Sequence, residues 1–159
     1  MSSQSVHSKQ KPNGMILIID DQPTNLQMLG TVLRHTNYEI EFASSGKSGL
    51  QKIEKRLPDL ILLDIRMPEM DGWQVMEKLK ANRLAKDVPV IFLSASTEDE
   101  DVNHCFKIGA SDYISKPLNM MELLCRVNTH FKLKKANDRI TYLEGRLRQY
   151  TDLESLHES

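Results

Sequence analysis

Three short, almost unbroken apolar runs constrain this chain more than any other feature: MILIID from Met15, DLILLDI from Asp59 and VPVIFLS from Val88. Each has the length of a strand, and none alternates with polar residues as a half-exposed strand would. Continuous apolar runs of this kind belong to strands covered on both faces, the situation inside a parallel sheet. Longer amphipathic stretches lie between them. Pro23 suits the first turn of a helix whose stripe is Leu26, Leu29, Val32 and Leu33. YEIEFA from Tyr38 alternates as a further strand, and Ser45-Gly46 opens a helix expected to turn Leu50, Ile53 and Leu57 inward and to stop before Pro58.

The pattern repeats to the end. Asp71 with Gln74 resembles a capping box for a helix through Val75, Met76 and Leu79, and Thr97 with Glu100 has the same form for the next. Asp112 to Ser115 is the last short strand, and Asn119 with Glu122 opens the final helix. Strand alternating with helix five times calls for crossover connections and a parallel sheet with helices on both faces. The fold class is α/β, a doubly wound five-stranded parallel sheet, spanning Met15 to about Phe131. Residues 1–14 read as a polar, mobile leader.

The final helix is expected to outrun that unit. Leu133, Ala136, Ile140, Leu143, Leu147 and Tyr150 keep an alternating three-four spacing, with Lys134, Arg139, Glu144 and Arg146 around them. That is the seam of a short coiled coil. Leu153 and Leu156 break the register, and Gly145 is a weak point costing about 1 kcal/mol relative to Ala. The region 132–159 is therefore an extended helix or short coiled coil, a dimerisation element or a linker. Pairing with a second copy, folding back or fraying, and docking on a separate partner are all open to it.

Composition narrows the function. With 159 residues, 40% apolar and 27% charged, the chain is globular rather than disordered. The 21 basic and 22 acidic side chains leave a net charge of −1, which gives no long-range attraction for nucleic acid. No apolar run approaches the roughly 20 residues needed to span a bilayer, and the start lacks the apolar stretch of a secretory signal. The two cysteines, Cys105 and Cys125, have no metal-type spacing and read as buried reduced thiols, consistent with the cytoplasm. Trp73 reads as a helix residue near the rim of the acidic pocket described next. His130, near a helix end, reads as a solvated or dipole-favoured side chain.

In an open parallel sheet, ligands bind outside the carboxyl ends of the strands. Here those ends carry Asp20, Asp21, Asp64, Ser94 and Lys116. Three carboxylates meeting in one place repel each other unless a cation intervenes, and hard oxygen ligands favour magnesium. Taken singly each acid could be a cap or a turn residue. The ordered set of acid pair, acid, hydroxyl and lysine after the first, third, fourth and fifth strands is what carries the argument.

From Met15 to Phe131 the chain resembles the receiver domain of bacterial response regulators. The residues that carry the likeness are IIDD at Ile18–Asp21, LLDIRMPEMDG at Leu62–Gly72, FLSAS at Phe92–Ser96 and GASDYISKP at Gly109–Pro117. The resemblance implies a flavodoxin-like strand order of 2-1-3-4-5. It implies that Asp64 is the phosphoacceptor, charged from a sensor histidine kinase or phosphotransfer protein. It further implies that Asp21 binds Mg2+ directly, that Asp20 holds a magnesium-bound water, and that Asp64 and the backbone carbonyl of Arg66 complete the protein's share. Lys116 is expected to pair with phosphoryl oxygens, before a cis bond to Pro117. Ser94 and Tyr113 are the expected switch pair, acting on the face of the fourth helix, fifth strand and fifth helix. Arg66 and Ser96 occupy positions that modulate dephosphorylation in the family.

Other readings fit less well. Haloacid-dehalogenase-like phosphatases need two acids one residue apart directly after the first strand, and here the acids are adjacent. Flavodoxin needs a hydroxyl-rich phosphate loop where this chain has DDQPTN. No catalytic motif of an effector enzyme follows Phe131, so the chain as it stands is not expected to be an enzyme beyond its own phosphorylation and dephosphorylation. The remaining alternative is a regulatory fragment of a larger cyclase, phosphodiesterase, phosphatase or hybrid kinase.

Overall fold

A computed structural model describes residues 11–95 and 99–157, and only the backbone at 99 and 100. The leader up to residue 10, Ser96 and the Thr97–Glu100 cap lie outside the described residues. Five strands and five helices alternate: β1 (Met15–Ile19), α1 (Pro23–Leu33), β2 (Glu39–Ala43), α2 (Gly46–Lys55), β3 (Leu60–Asp64), α3 (Gly72–Ala81), β4 (Val90–Ser94), α4 (Asp99–Lys107), β5 (Asp112–Ser115) and α5 (Met120–His157). All pairings are parallel and the order is β2-β1-β3-β4-β5. The five-stranded doubly wound sheet is as the residue pattern requires.

The apolar runs form the strands for the reason given by their composition. Every residue of β1, β3 and β4 is buried, because each of these strands has a neighbour on both sides and helices over both faces. Successive side chains point to opposite faces. Ile16 and Ile18 of β1 join Leu29 and Leu33 of α1 and Leu123, Val127 and Phe131 of α5 on one face. Leu17 and Ile19 join Ile53 of α2, Val75, Met76 and Leu79 of α3 and Cys105 of α4 on the other. Edge strand β2 is only half-buried, in keeping with its alternating sequence.

Local signals place the helix starts. Ser45 accepts from the Ser48 N–H at 3.1 Å, and Asp71 and Gln74 form both bonds of the capping box. Asn119 accepts from the Glu122 N–H at 3.1 Å to open α5. Asn13 and Gly14 are tied to the sheet by backbone bonds to Asn37 and Glu39, each 2.8 Å. Two expectations fail. Leu57 is 45% exposed, because α2 ends at Lys55 and Arg56 leaves the helix with extended backbone. Cys125 is exposed while Cys105 is buried, since α5 turns Leu123 and Val127, not Cys125, onto the sheet.

Helix α5 is one continuous element of 38 residues, about 57 Å at 1.5 Å per residue. Phe131 is the last residue whose side chain joins the core, and there it stacks on Tyr38 with ring centroids 4.1 Å apart. Lys134 bonds Asp59 at 3.0 Å just beyond. His130, read from sequence as solvated, instead sits 3.0 Å from Asp112, half-buried beside the Arg126–Asp112 ion pair. Sequence spacing did not bring those residues together because Asp112 starts a different element. From Ala136 onward every described side chain is exposed.

Candidate functional site

The carboxyl ends of β1 and β3 are neighbours in the sheet, so Asp20 and Asp64 meet there, and Asp21 follows directly. One carboxylate oxygen from each of the three lies within 4.8 Å of the others. Asp20 is fully buried and Asp64 is 6% exposed. Burying charge without compensation is costly, and the compensation here is uneven. Asp20 accepts from the Gln22 N–H at 2.9 Å and from Asn25 Nδ2 at 3.2 Å. Asp21 Oδ1 is buried with no hydrogen-bond partner.

Lys116 comes from the end of β5 and reaches the same point. Its Nζ is 3.5 Å from Asp20 Oδ2 and 3.5 Å from Asp64 Oδ1. The Lys116-Pro117 bond is cis. One ammonium cannot balance three carboxylates. Burial, with Asp20 and secondarily Asp21 repelling, pushes the Asp64 carboxyl up to about 6, against the opposing pull of Lys116.

Gly72 holds the loop after β3 against the end of that strand. Its N–H donates to the Ile65 carbonyl at 2.7 Å. A Cβ at this position would meet the Asp64 carbonyl oxygen at 2.6 Å and Ile65 Cα at 2.8 Å. These are backbone atoms of the strand end, so the glycine is required by close approach. Trp73, next in sequence, packs on Phe92 at 5.2 Å and edge-on to His104 at 4.6 Å. It also lines a cleft with Ile65, Arg66 and Met67, the residues that follow Asp64 in the chain.

Ser94 ends β4 and is buried. It shares a side-chain hydrogen bond with half-buried Tyr113 on β5, and burial raises the Tyr113 phenol against that bond. Ser94 pairs with Ser115 in the β4–β5 register and Tyr113 with Phe92, so the two side chains start from adjacent strands. The structure thus brings Asp20, Asp21, Asp64 and Lys116 to one point and joins Ser94 to Tyr113 beside it. Arg66 lies in the loop that follows Asp64, and its side chain is exposed.

Asn25 is the site residue that the sequence did not single out. It stands five residues after Asp20 in the first turns of α1, reaching back to the carboxylate. Pro23 at the start of α1 sets that turn immediately behind the acid pair, which is the one signal that could have pointed to it.

The donor set fits a hard divalent cation. Three carboxylate oxygens converge, one of them buried and unsatisfied, and no nitrogen or sulfur ligand competes among the described residues at this cluster.

A doubly wound parallel sheet with an acid trio and a lysine at its carboxyl edge defines a class of α/β modules with a charged pocket at the strand ends. Residues 16–128 match the response regulator receiver domain family, and the chain belongs to that family. It is 41% identical over 123 residues to a Vibrio cholerae protein named "Probable cyclic di-GMP phosphodiesterase", covering 77% of this chain and 28% of that protein. It is 34% identical over 130 residues to response regulator PleD of Caulobacter vibrioides, covering 82% and 29% respectively. The chain thus spans under a third of the length of these relatives. Among solved structures, a CheY-like response regulator receiver domain protein from Methanospirillum hungatei superimposes with a TM-score of 0.71 and 31% identity, over 77% of this chain and 97% of that one. The signal receiver domain of a histidine kinase from Syntrophus aciditrophicus gives 0.70 and 34%, over 75% and 90%.

Proposed function

We propose that Asp64 accepts a phosphoryl group from a phosphohistidine on a sensor histidine kinase or phosphotransfer protein. The observation that carries this is the convergence of three buried or half-buried carboxylates, two of them 3.5 Å from Lys116, with Asp21 Oδ1 left unsatisfied. An Asp64 oxygen forms a bond to phosphorus as the phosphorus–nitrogen bond breaks. The electron pair returns to the imidazole nitrogen, which takes up a proton from solvent. The Asp64 carboxyl, at about 6 without a cation, is the nucleophilic anion at neutral pH. Asp20, Asp21, Asp64 and the backbone carbonyl of Arg66 are the groups that would hold Mg2+. When bound, the ion offsets negative charge on the pocket and on the phosphoryl oxygens. Lys116, within reach of Asp64, supplies a second positive charge to the incoming oxygens.

Ser94 and Tyr113 form the switch. A Ser94 hydroxyl that turns to a phosphoryl oxygen gives up its bond to Tyr113, which frees the phenol to change position. Phosphorylation is thereby transmitted to the face made by α4, β5 and α5. The receiver unit runs from 15 to 131 behind a leader at 1–14. The part of α5 from 132 to 157 pairs with a second copy through the seam from Leu133 to Tyr150, whose large apolar side chains are 46–66% exposed in the single chain. The chain works in the cytoplasm, as a phosphoacceptor without effector catalysis. Among the described residues, no helix is long and apolar enough to cross a membrane. A second reading, that this unit regulates an effector such as a cyclase or phosphodiesterase on a longer protein, is favoured by the short share of its relatives that it matches.

Incubation with acetyl phosphate and Mg2+ is expected to add one phosphoryl mass, and Asp64→Asn is expected to abolish it. Labelling of that variant at the wild-type level would place the acceptor elsewhere.

A further inference from the structure

Which way a second copy lies against α5 is encoded in the charges beside its seam. Successive residues on an α-helix are turned by about 100°. The side chains that α5 presents to the sheet are Leu123, Val127 and Phe131, continued by Lys134 bonded to Asp59. By that rotation, the centre of the Leu133–Ala136–Ile140–Leu143 stripe lies about 150° round the helix from the body-facing stripe. The centre of the seam therefore faces away from the receiver, while Leu133, at its start, also lines a groove with Leu84, Val88 and Pro89 of the body. Along the stretch that rides on the sheet, the outward line is polar, with exposed Glu122 and Thr129. It turns apolar at Leu133, where the helix leaves the body.

With Leu133, Ile140 and Leu147 at one seam position and Ala136, Leu143 and Tyr150 at the other, the flanks follow by counting. One flank carries Lys132, Arg139 and Arg146. The other carries Asn137, Glu144 and Thr151. In parallel helices, a residue on the first flank faces the residue five positions on along the second flank of the partner. Arg139 then faces Glu144, Lys132 faces Asn137 and Arg146 faces Thr151, with no like-charged pair. In antiparallel helices like flanks meet, and the first flank brings arginines against arginines. Arg139 and Glu144 are both exposed, and among the described residues neither joins an ion pair.

We infer that the second copy lies parallel and in register, with Arg139 of each helix beside Glu144 of the partner subunit. This rests on the pairing reading above and adds the orientation. Gly145 falls on the outer side of such a pair, where a Cβ meets nothing within 4 Å. The two receivers then sit on opposite outer flanks at the same end of the helix pair. The seam runs about 26 Å, from 133 to 150, and is short enough for one charge pair on each side to matter.

The test uses the full chain. With Cys125→Ser removing the exposed thiol and Cys105 buried, Ala136→Cys is oxidised and run on a non-reducing gel. In the parallel register the two new thiols face each other and the chain crosslinks to itself. In an antiparallel pair centred on the same seam they stand about 16 Å apart, too far for a disulfide. By sedimentation, Arg139→Glu is expected to weaken the dimer about tenfold, and adding Glu144→Arg is expected to restore it. A wild-type dimer that neither crosslinks through position 136 nor responds to Arg139→Glu overturns the parallel register and leaves pairing intact. A wild-type chain that sediments as a monomer overturns both.

Discussion

Replacing Asp64 by Asn should make the cation-free protein more stable, although it removes a partner of Lys116. The reason lies in the crowding of charge at the strand ends. In the fold the Asp64 carboxyl titrates at about 6, against an ordinary value of 3.8. The folded state therefore holds the proton more tightly than the unfolded chain. Below about pH 4 both states are protonated and the fold bears no penalty. As pH rises through 4 to 6 the unfolded chain ionises first and stability falls. Above 6 the full difference is lost, and a two-unit separation at about 1.4 kcal/mol each gives about 3 kcal/mol. Lys116 retains Asp20 at 3.5 Å in the variant, so its charge is not stranded. Urea unfolding in EDTA at intervals from pH 4 to pH 8 measures the difference directly. Asp64→Asn should exceed wild type by about 2–3 kcal/mol at pH 8, with the gap closing towards pH 4. Added Mg2+ should narrow it at pH 8 by binding the folded wild type. A variant no more stable than wild type at pH 8, or a gap that persists unchanged at pH 4, would refute the reasoning.

Three further outcomes follow from the geometry. Gly72→Ala should lower stability by about 1–3 kcal/mol in urea and slow labelling by acetyl phosphate, because the new Cβ meets the Asp64 carbonyl at 2.6 Å. Unaltered labelling and stability would mean that the loop gives way freely. Gly145→Ala has open space around it and should raise helicity by circular dichroism, with about 1 kcal/mol gained in the exposed part of α5. A thiol reagent should modify native protein once, at Cys125, while burial keeps Cys105 protonated by pushing its thiol up to about 11; two rapid modifications by mass would contradict the packing of α4.

The sheet was legible because its inner strands are covered on both faces and so carry no polar residue before Asp64 and Ser94 at their carboxyl ends. Ile16 to Ile19 and Leu60 to Leu63 could be nothing else at that length. The caps at Ser45, Asp71 and Asn119 were legible because each acts within three residues of itself. Asp20, Asp21, Asp64 and Lys116 could be grouped because a parallel sheet gathers its strand ends on one edge. What escaped depends on contacts between distant segments. Nothing near His130 in sequence announces Asp112, and Pro23 alone, by starting α1 behind the acid pair, hints that the Asn25 amide reaches back to Asp20. Leu57 was misjudged because apolar spacing continues past the point where the backbone of α2 stops. Cys125 was misjudged because its helix has a buried stripe on one side only.

Because α5 passes without a break from the receiver core into the exposed region, it can act mechanically as a lever arm. Its fulcrum is the contact of Phe131 with Tyr38, and its long end runs about 39 Å from Phe131 to His157. A tilt of about 5° at the fulcrum moves the tip by about 3 Å. A small adjustment around β5 is therefore magnified into a displacement of atomic size far from the acid pocket. No hinge is needed for this, and the stiffness of one helix determines how faithfully the motion arrives.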